Sequence, residues 1–275
     1  KDFYIELTDD KLPFNSFFDN LKNSSVLLIH DEATGTKAEL QRLNPPTRNL
    51  NQVVRNSEMR FDENNILIKK NNLKTGVFAS NMRSSFRDLG PQDQMKDMQK
   101  AISGDYNQTI LTALNFKNLE GVKDSVTYSY EFKAPESVSE IGGMKIVTLP
   151  WSEKAKSSDF SFSENREFPI DLWKMEADVE EENITIYLPQ KMALAEIPAK
   201  ANLVCPVAEY SQEFSVSGNT VKAKRKFRFT KEIVEKEHLK EFETFYRKMV
   251  AADNRQIALK KAEAVQPPAS PAKKK

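Results

Sequence analysis

Residues 207–229 read VAEYSQEFSVSGNTVKAKRKFRF, and this stretch decides the fold. Gly218-Asn219 suits a two-residue hairpin turn. That turn sets Ser217 against Thr220, Val216 against Val221, Phe214 against Ala223 and Glu213 against Lys224. One face then carries Phe214, Val216, Val221, Ala223, Phe227 and Phe229. The other carries Glu213, Ser215, Lys222, Lys224, Lys226 and Arg228. Pattern and register agree on an antiparallel pair with one wet face. Arg225 breaks the pattern: the alternation aims it inward, where it needs a partner or an edge position.

The same period-two pattern extends upstream. SVTYSYEF (125–132) sets Val126, Tyr128, Tyr130 and Phe132 on one face. QTILTALNF and NITIYLP also read as strands. The stretch from Asn51 to Phe86 reads as three strands, with turns at Glu63-Asn64-Asn65 and Asn71-Asn72. NPP at 44–46 reads as a linker. GPQDQMKDMQKAIS reads as a helix with Pro91 in its first turn and an apolar stripe of Met95, Met98 and Ile102. Downstream, EFETFYRKMVAADNRQIALKK (241–261) continues a second helix over 235–252. Its stripe of Leu239, Phe242, Phe245, Tyr246 and Met249 closes over a sheet, and QIALK follows as a strand.

These readings predict a mainly β fold: antiparallel β-sandwich-like units near 45–157 and 158–262, with two or more amphipathic helices. Residues 1–44 precede them. Residues 263–275, EAVQPPASPAKKK, lack large side chains and read as a disordered tail.

Composition narrows the chemistry. A net charge of +1 gives no global field for nucleic acid or anionic lipid. No apolar run approaches the ~20 residues of a membrane-spanning helix. Cys205 is the only cysteine, so no internal disulfide forms, and its apolar surroundings predict a buried thiol. The only histidines, His30 and His238, lie in no catalytic or zinc motif. No phosphate-binding glycine loop or GxSxG occurs. EADVEEEN (176–183) is the densest acidic group; it lacks the periodicity of a calcium loop and reads as a solvated turn. The sequence therefore offers no catalytic, cofactor-binding or metal-binding residues. The row Lys222, Lys224, Lys226, Arg228 remains as a weak surface-binding candidate, although charged strands also guard sheet edges. Trp151 and Trp173 are weaker aromatic candidates.

YIELTDDKLPFNSFFDNL (4–21) resembles the exit of the catalytic domain in secreted bacterial transglutaminase-like proteins of the papain-type fold. LKTGVFASNMRSSF, ENREFPIDL, ITIYLPQKMALAEIP and FETFYRKMVAADNRQIALKK follow in the order of that family. The resemblance covers most of 1–262. It implies that 1–44 is the tail of a preceding transglutaminase-like domain and linker. The chain would then be a non-catalytic accessory module of a protein exported to the periplasm or cell surface of a Gram-negative bacterium. It would pack on a catalytic domain or present substrate to it. The family's Cys-His-Asp triad does not carry over: Cys205 follows His30 in the wrong order, and Glu6 is not assigned a role. A surface module for glycan or peptide is the alternative.

Overall fold

The computed structural model describes residues 9–13, 21, 24–29, 35, 38–43, 51–62, 65–104, 106, 108–135, 138–158, 166–172 and 179–262. Its elements run β1 (Ser25–Leu28), β2 (Glu39–Arg42), β3 (Gln52–Asp62), β4 (Asn65–Thr75), α1 (Val77–Phe86), α2 (Pro91–Ser103), β5 (Ile110–Lys117) and β6 (Ser125–Ala134). Then follow β7 (Val138–Ile141), β8 (Met144–Thr148), β9 (Ile170–Asp171), β10 (Val179–Tyr187), β11 (Met192–Glu196) and β12 (Ala201–Cys205). The chain continues through β13 (Ala208–Ser217), β14 (Thr220–Phe229), β15 (Ile233–Val234), α3 (Leu239–Asp253) and β16 (Gln256–Lys261). The fold is mainly β, with antiparallel sheets and amphipathic helices, as the alternation predicts.

Eight strands form the main sheet in the order β12-β13-β14-β10-β3-β4-β6-β5. Four form a second sheet, β11-β16-β8-β7. The β13–β14 hairpin has the predicted register, Glu213 opposite Lys224, and Gly218 takes φ 56° at its turn, where a side chain would be strained.

The boundary expected at residue 157 does not separate two sheets. β10 lies parallel to β3, and β16 pairs with β8, so the two halves interlock. Two further expectations are corrected. Asn71-Asn72 makes no turn; it lies inside β4, paired on both sides by β3 and β6, and tertiary pairing overrides the local preference. The third strand expected before Phe86 is helix α1. Gly76, at φ 59°, turns the chain out of β4, and the Asn51 side chain accepts the Val77 N–H at 3.0 Å. Ala79, Met82 and Phe86 then share a core-facing stripe.

One face of the main sheet is buried and the other is wet. Towards the β13–β14 turn, the cross-strand row Val221, Ile186, Met59, Ile68 and Phe132 belongs to a core shared with α1, α2 and the second sheet. Towards the other end, Ala208, Tyr210, Phe227 and Phe229 belong to a second core closed by α3. Phe242 is fully buried there and Phe245 nearly so, which makes the aromatic stripe of α3 a lid.

Candidate functional site

Between the two cores the buried face of the sheet is polar. One cross-strand row runs Gln212, Arg225, Glu182, Arg55, Asn72 and Tyr128, and every member is buried. Strand alternation alone puts these side chains inside. Removing several ions from water costs several kcal/mol each unless their partners are close.

The partners are close. Arg225 donates to Asp253 at 2.7 Å, to Glu182 at 3.0 Å and to the Ser152 carbonyl at 2.8 Å. Lys70 donates to Glu182 at 3.1 Å and to the Pro150 carbonyl at 2.7 Å. Glu182 also accepts the Ser152 N–H at 2.9 Å. Arg55 donates to Glu180 at 2.9 Å and to Glu153, the exposed end of the chain of charges. Burial pushes the Glu182 carboxyl up, but Lys70, Arg225, Arg55 and the Ser152 N–H together hold it below the usual carboxylate range. It is therefore ionised, and its charge is committed to its neighbours.

The segment from Leu149 to Glu153, leaving β8, straps across this row. Leu149 and Trp151 are fully buried, and the Arg225 guanidinium lies 5.2 Å from the Trp151 ring centroid. Glu153 takes φ 46°, a conformation uncommon for a side-chain-bearing residue, at the point where it meets Arg55. Asp253 is the last residue of α3, where the helix dipole disfavours a carboxylate. Arg225 and the Tyr210 hydroxyl, which donates at 2.7 Å, compensate it.

From Val179 onward the acidic stretch is thus not a solvated turn. Residues 179–187 are strand β10, Glu182 is 1% exposed, and Glu181 on the wet face pairs with Lys224 at 3.1 Å. Glu180 and Glu182 point inward because alternation sets every second residue of β10 on the covered face of the sheet. The inward aim of Arg225 was the one signal in the sequence for this cluster. Its partners come from segments 28 to 73 residues away.

The basic row occupies the wet face of β14, an interior strand between β13 and β10, so it does not guard an edge. Lys224 pairs with Glu181, and Arg228 with Glu209 at 3.0 Å. Glu213 pairs with Lys200 at 2.8 Å rather than with Lys224 opposite it. Lys222 and Lys226 are exposed. The row is brought to one surface, but carboxylates interleave with it.

Cys205 ends β12 and is buried. Burial pushes its thiol up, against the pull of the Val207 and Ala208 N–H groups, so it stays protonated. No hydrogen bond links it to His238 among the described residues; His238 lies 3.8 Å from Glu241, one turn along. Among the described residues no group of His, Cys, Asp and Glu is placed to hold a metal ion. Trp151 is core and offers no open stacking face. Glu6, His30, Trp173 and the tail 263–275 lie outside the described residues.

Residues 143–259 match the model of a family described as a domain of unknown function with a solved structure (DUF3858). The matched stretch runs from the start of β8 into β16 and takes in β10, β14, α3 and most of the charged row. No curated protein matches the chain. A solved structure titled a "putative protease" from Parabacteroides distasonis is similar over 43% of this chain at 18% identity, with a TM-score of 0.36. The alignment spans 23% of that protein's length.

Proposed function

We propose that this chain is a non-catalytic accessory module that packs on a transglutaminase-like catalytic domain or positions that domain's substrate. The observation that carries the reading is the closure of the charged row. Arg55, Lys70, Arg225, Glu182 and Asp253 face one another rather than a cleft, and a carboxylate held ionised by three cations is a poor general acid or base. Cys205, the other candidate for chemistry, is a protonated, buried thiol. A docking role draws support from the β1–β2 hairpin. Leu27 and Leu40 are cross-strand partners at 60% and 76% exposure, and Ile29 beside them is 82% exposed. A two-stranded hairpin is marginal in water without a packing partner. This one directly follows the stretch that resembles the exit of a catalytic domain. Export to the periplasm or cell surface belongs to the same reading.

The test is calorimetric. The transglutaminase-like domain that this reading places ahead of Lys1 is purified and titrated with this chain. Saturable one-to-one binding, weakened at least tenfold when Leu27 and Leu40 are both changed to Lys, is expected. No binding heat, or an upstream coding sequence without a Cys-His core, would overturn the reading.

A further inference from the structure

Among the described residues the two larger sheets have four edge strands, and three of them carry devices that discourage pairing with another chain. β5 has a bulge between Leu111 and Ala113 and ends in Lys117. β11 has a register shift between Leu194 and Glu196. β7 is four residues long and includes Glu140. β12 is five residues long and is followed by Pro206, but has no guarding device within its own length. Ala201-Asn202-Leu203-Val204-Cys205 contains no charge, no proline and no bulge, and pairs only with β13 among the described residues. Val204 is 77% exposed on the wet face, and Leu203 is half-buried on the inner face.

From this edge we infer that the chain forms a two-fold dimer in which β12 pairs antiparallel with β12 of a second copy, joining two main sheets into one. The strand is self-complementary. Centring the two-fold on Leu203 sets Leu203 against Leu203 of the other copy on the inner face. The same register sets each Asn202 against Val204 of the other copy and brings the two valines to a diagonal separation of about 7–8 Å, within packing reach. A two-fold interface requires this kind of self-match. The flanking groove agrees in charge. It lies between β12 and α3, has a volume of about 560 Å³, and is lined by Glu237, Lys240 and Glu241 towards the helix start and Lys248 towards its end. Antiparallel pairing brings the net-negative end of one groove towards the positive end of the other.

Sedimentation equilibrium of this chain from 1 to 300 µM, the range chosen for the measurement and roughly that of weak association, tests the inference. A concentration-dependent dimer is expected. Val204→Lys and, independently, Asn202→Lys should each weaken it at least tenfold, while Ile110→Lys on the β5 edge leaves it unchanged. Circular dichroism melting of each variant separates lost pairing from lost folding, and two exposed sites guard against one variant misfolding. Leu203→Cys should cross-link the dimer symmetrically under mild oxidation. A chain that stays monomeric throughout, leaving the edge to an extended peptide, would overturn the inference. So would a dimer that survives both lysine variants.

Discussion

Arg225 and Asp253 meet at 2.7 Å, and both are buried. One sits on β14 facing into the fold, the other on the last turn of α3. Their pairing ties the helix that lids the second core to the centre of the main sheet. Through Glu182 and the Ser152 carbonyl, the same guanidinium reaches β10 and the strap leaving β8. The polar row is the seam along which the two cores are joined.

Breaking this pair from the Asp253 side takes one of two carboxylate partners from the buried Arg225 guanidinium. Asp253→Ala should lower stability by about 3–5 kcal/mol. The double change Arg225→Met with Asp253→Leu should recover a large part of that loss, because it removes both charges together. Urea unfolding of the three proteins measures this. A double variant no more stable than Asp253→Ala would show that Arg225 is held chiefly by Glu182.

The seam also sets the pH dependence. The Glu182 carboxyl is depressed in the fold, so its contribution is complete above the ordinary value of about 4.3 and is lost as pH falls through the lower folded value. The stability gap between the wild type and Glu182→Gln should be widest above about pH 5 and close in acid. Tyr210 behaves oppositely. Burial, then the charge and hydrogen bond of Asp253, raise its phenol, so its contribution is complete below about pH 10 and is lost above that. The gap between the wild type and Tyr210→Phe should be level from pH 7 to 9 and shrink above 10. Urea midpoints across pH give both curves; a gap that widens in acid for the first variant, or in alkali for the second, would contradict the assignment.

The lid makes a separate prediction. Phe242 is fully buried among Phe229, Phe245 and Tyr246. Phe242→Ala should cost about 3–5 kcal/mol, the range for deleting a core ring. Arg247 and Lys248, on the wet face, should tolerate alanine within about 0.5 kcal/mol. Thermal melting of each variant is the check, and an unshifted midpoint for Phe242→Ala would mean the stripe is not core.

Much of the fold was legible in local pattern. The hairpin at 207–229, strand β6, helix α2 and the α3 stripe each declare themselves by period and turn chemistry. The neighbours of these elements were not legible. That β10 lies beside β3 is a pairing across more than a hundred residues, and no local pattern encodes it. The failure at Glu182 has the same origin. Three successive glutamates look solvated until strand alternation turns the first and last inward, Glu182 onto Lys70 and Arg225. Arg225 announced the seam as an inward-facing charge, but a charge shows only that a partner is needed, not where it lies. Gly76 carried the signal for α1, hidden in a stretch whose composition suits a strand.

The claim that this chain performs no thiol chemistry can be measured directly. Wild type and Cys205→Ala are each incubated with a glutamine-containing peptide and a fluorescent amine, and separately with a peptide substrate alone, across pH 6 to 9, a range chosen to span the ordinary titrations of histidine and cysteine. A thiol kept protonated by burial, with no hydrogen bond to His238, predicts no transamidation and no hydrolysis above buffer in either protein. Turnover by the wild type that disappears in Cys205→Ala would contradict the account and make the β12 terminus an active site.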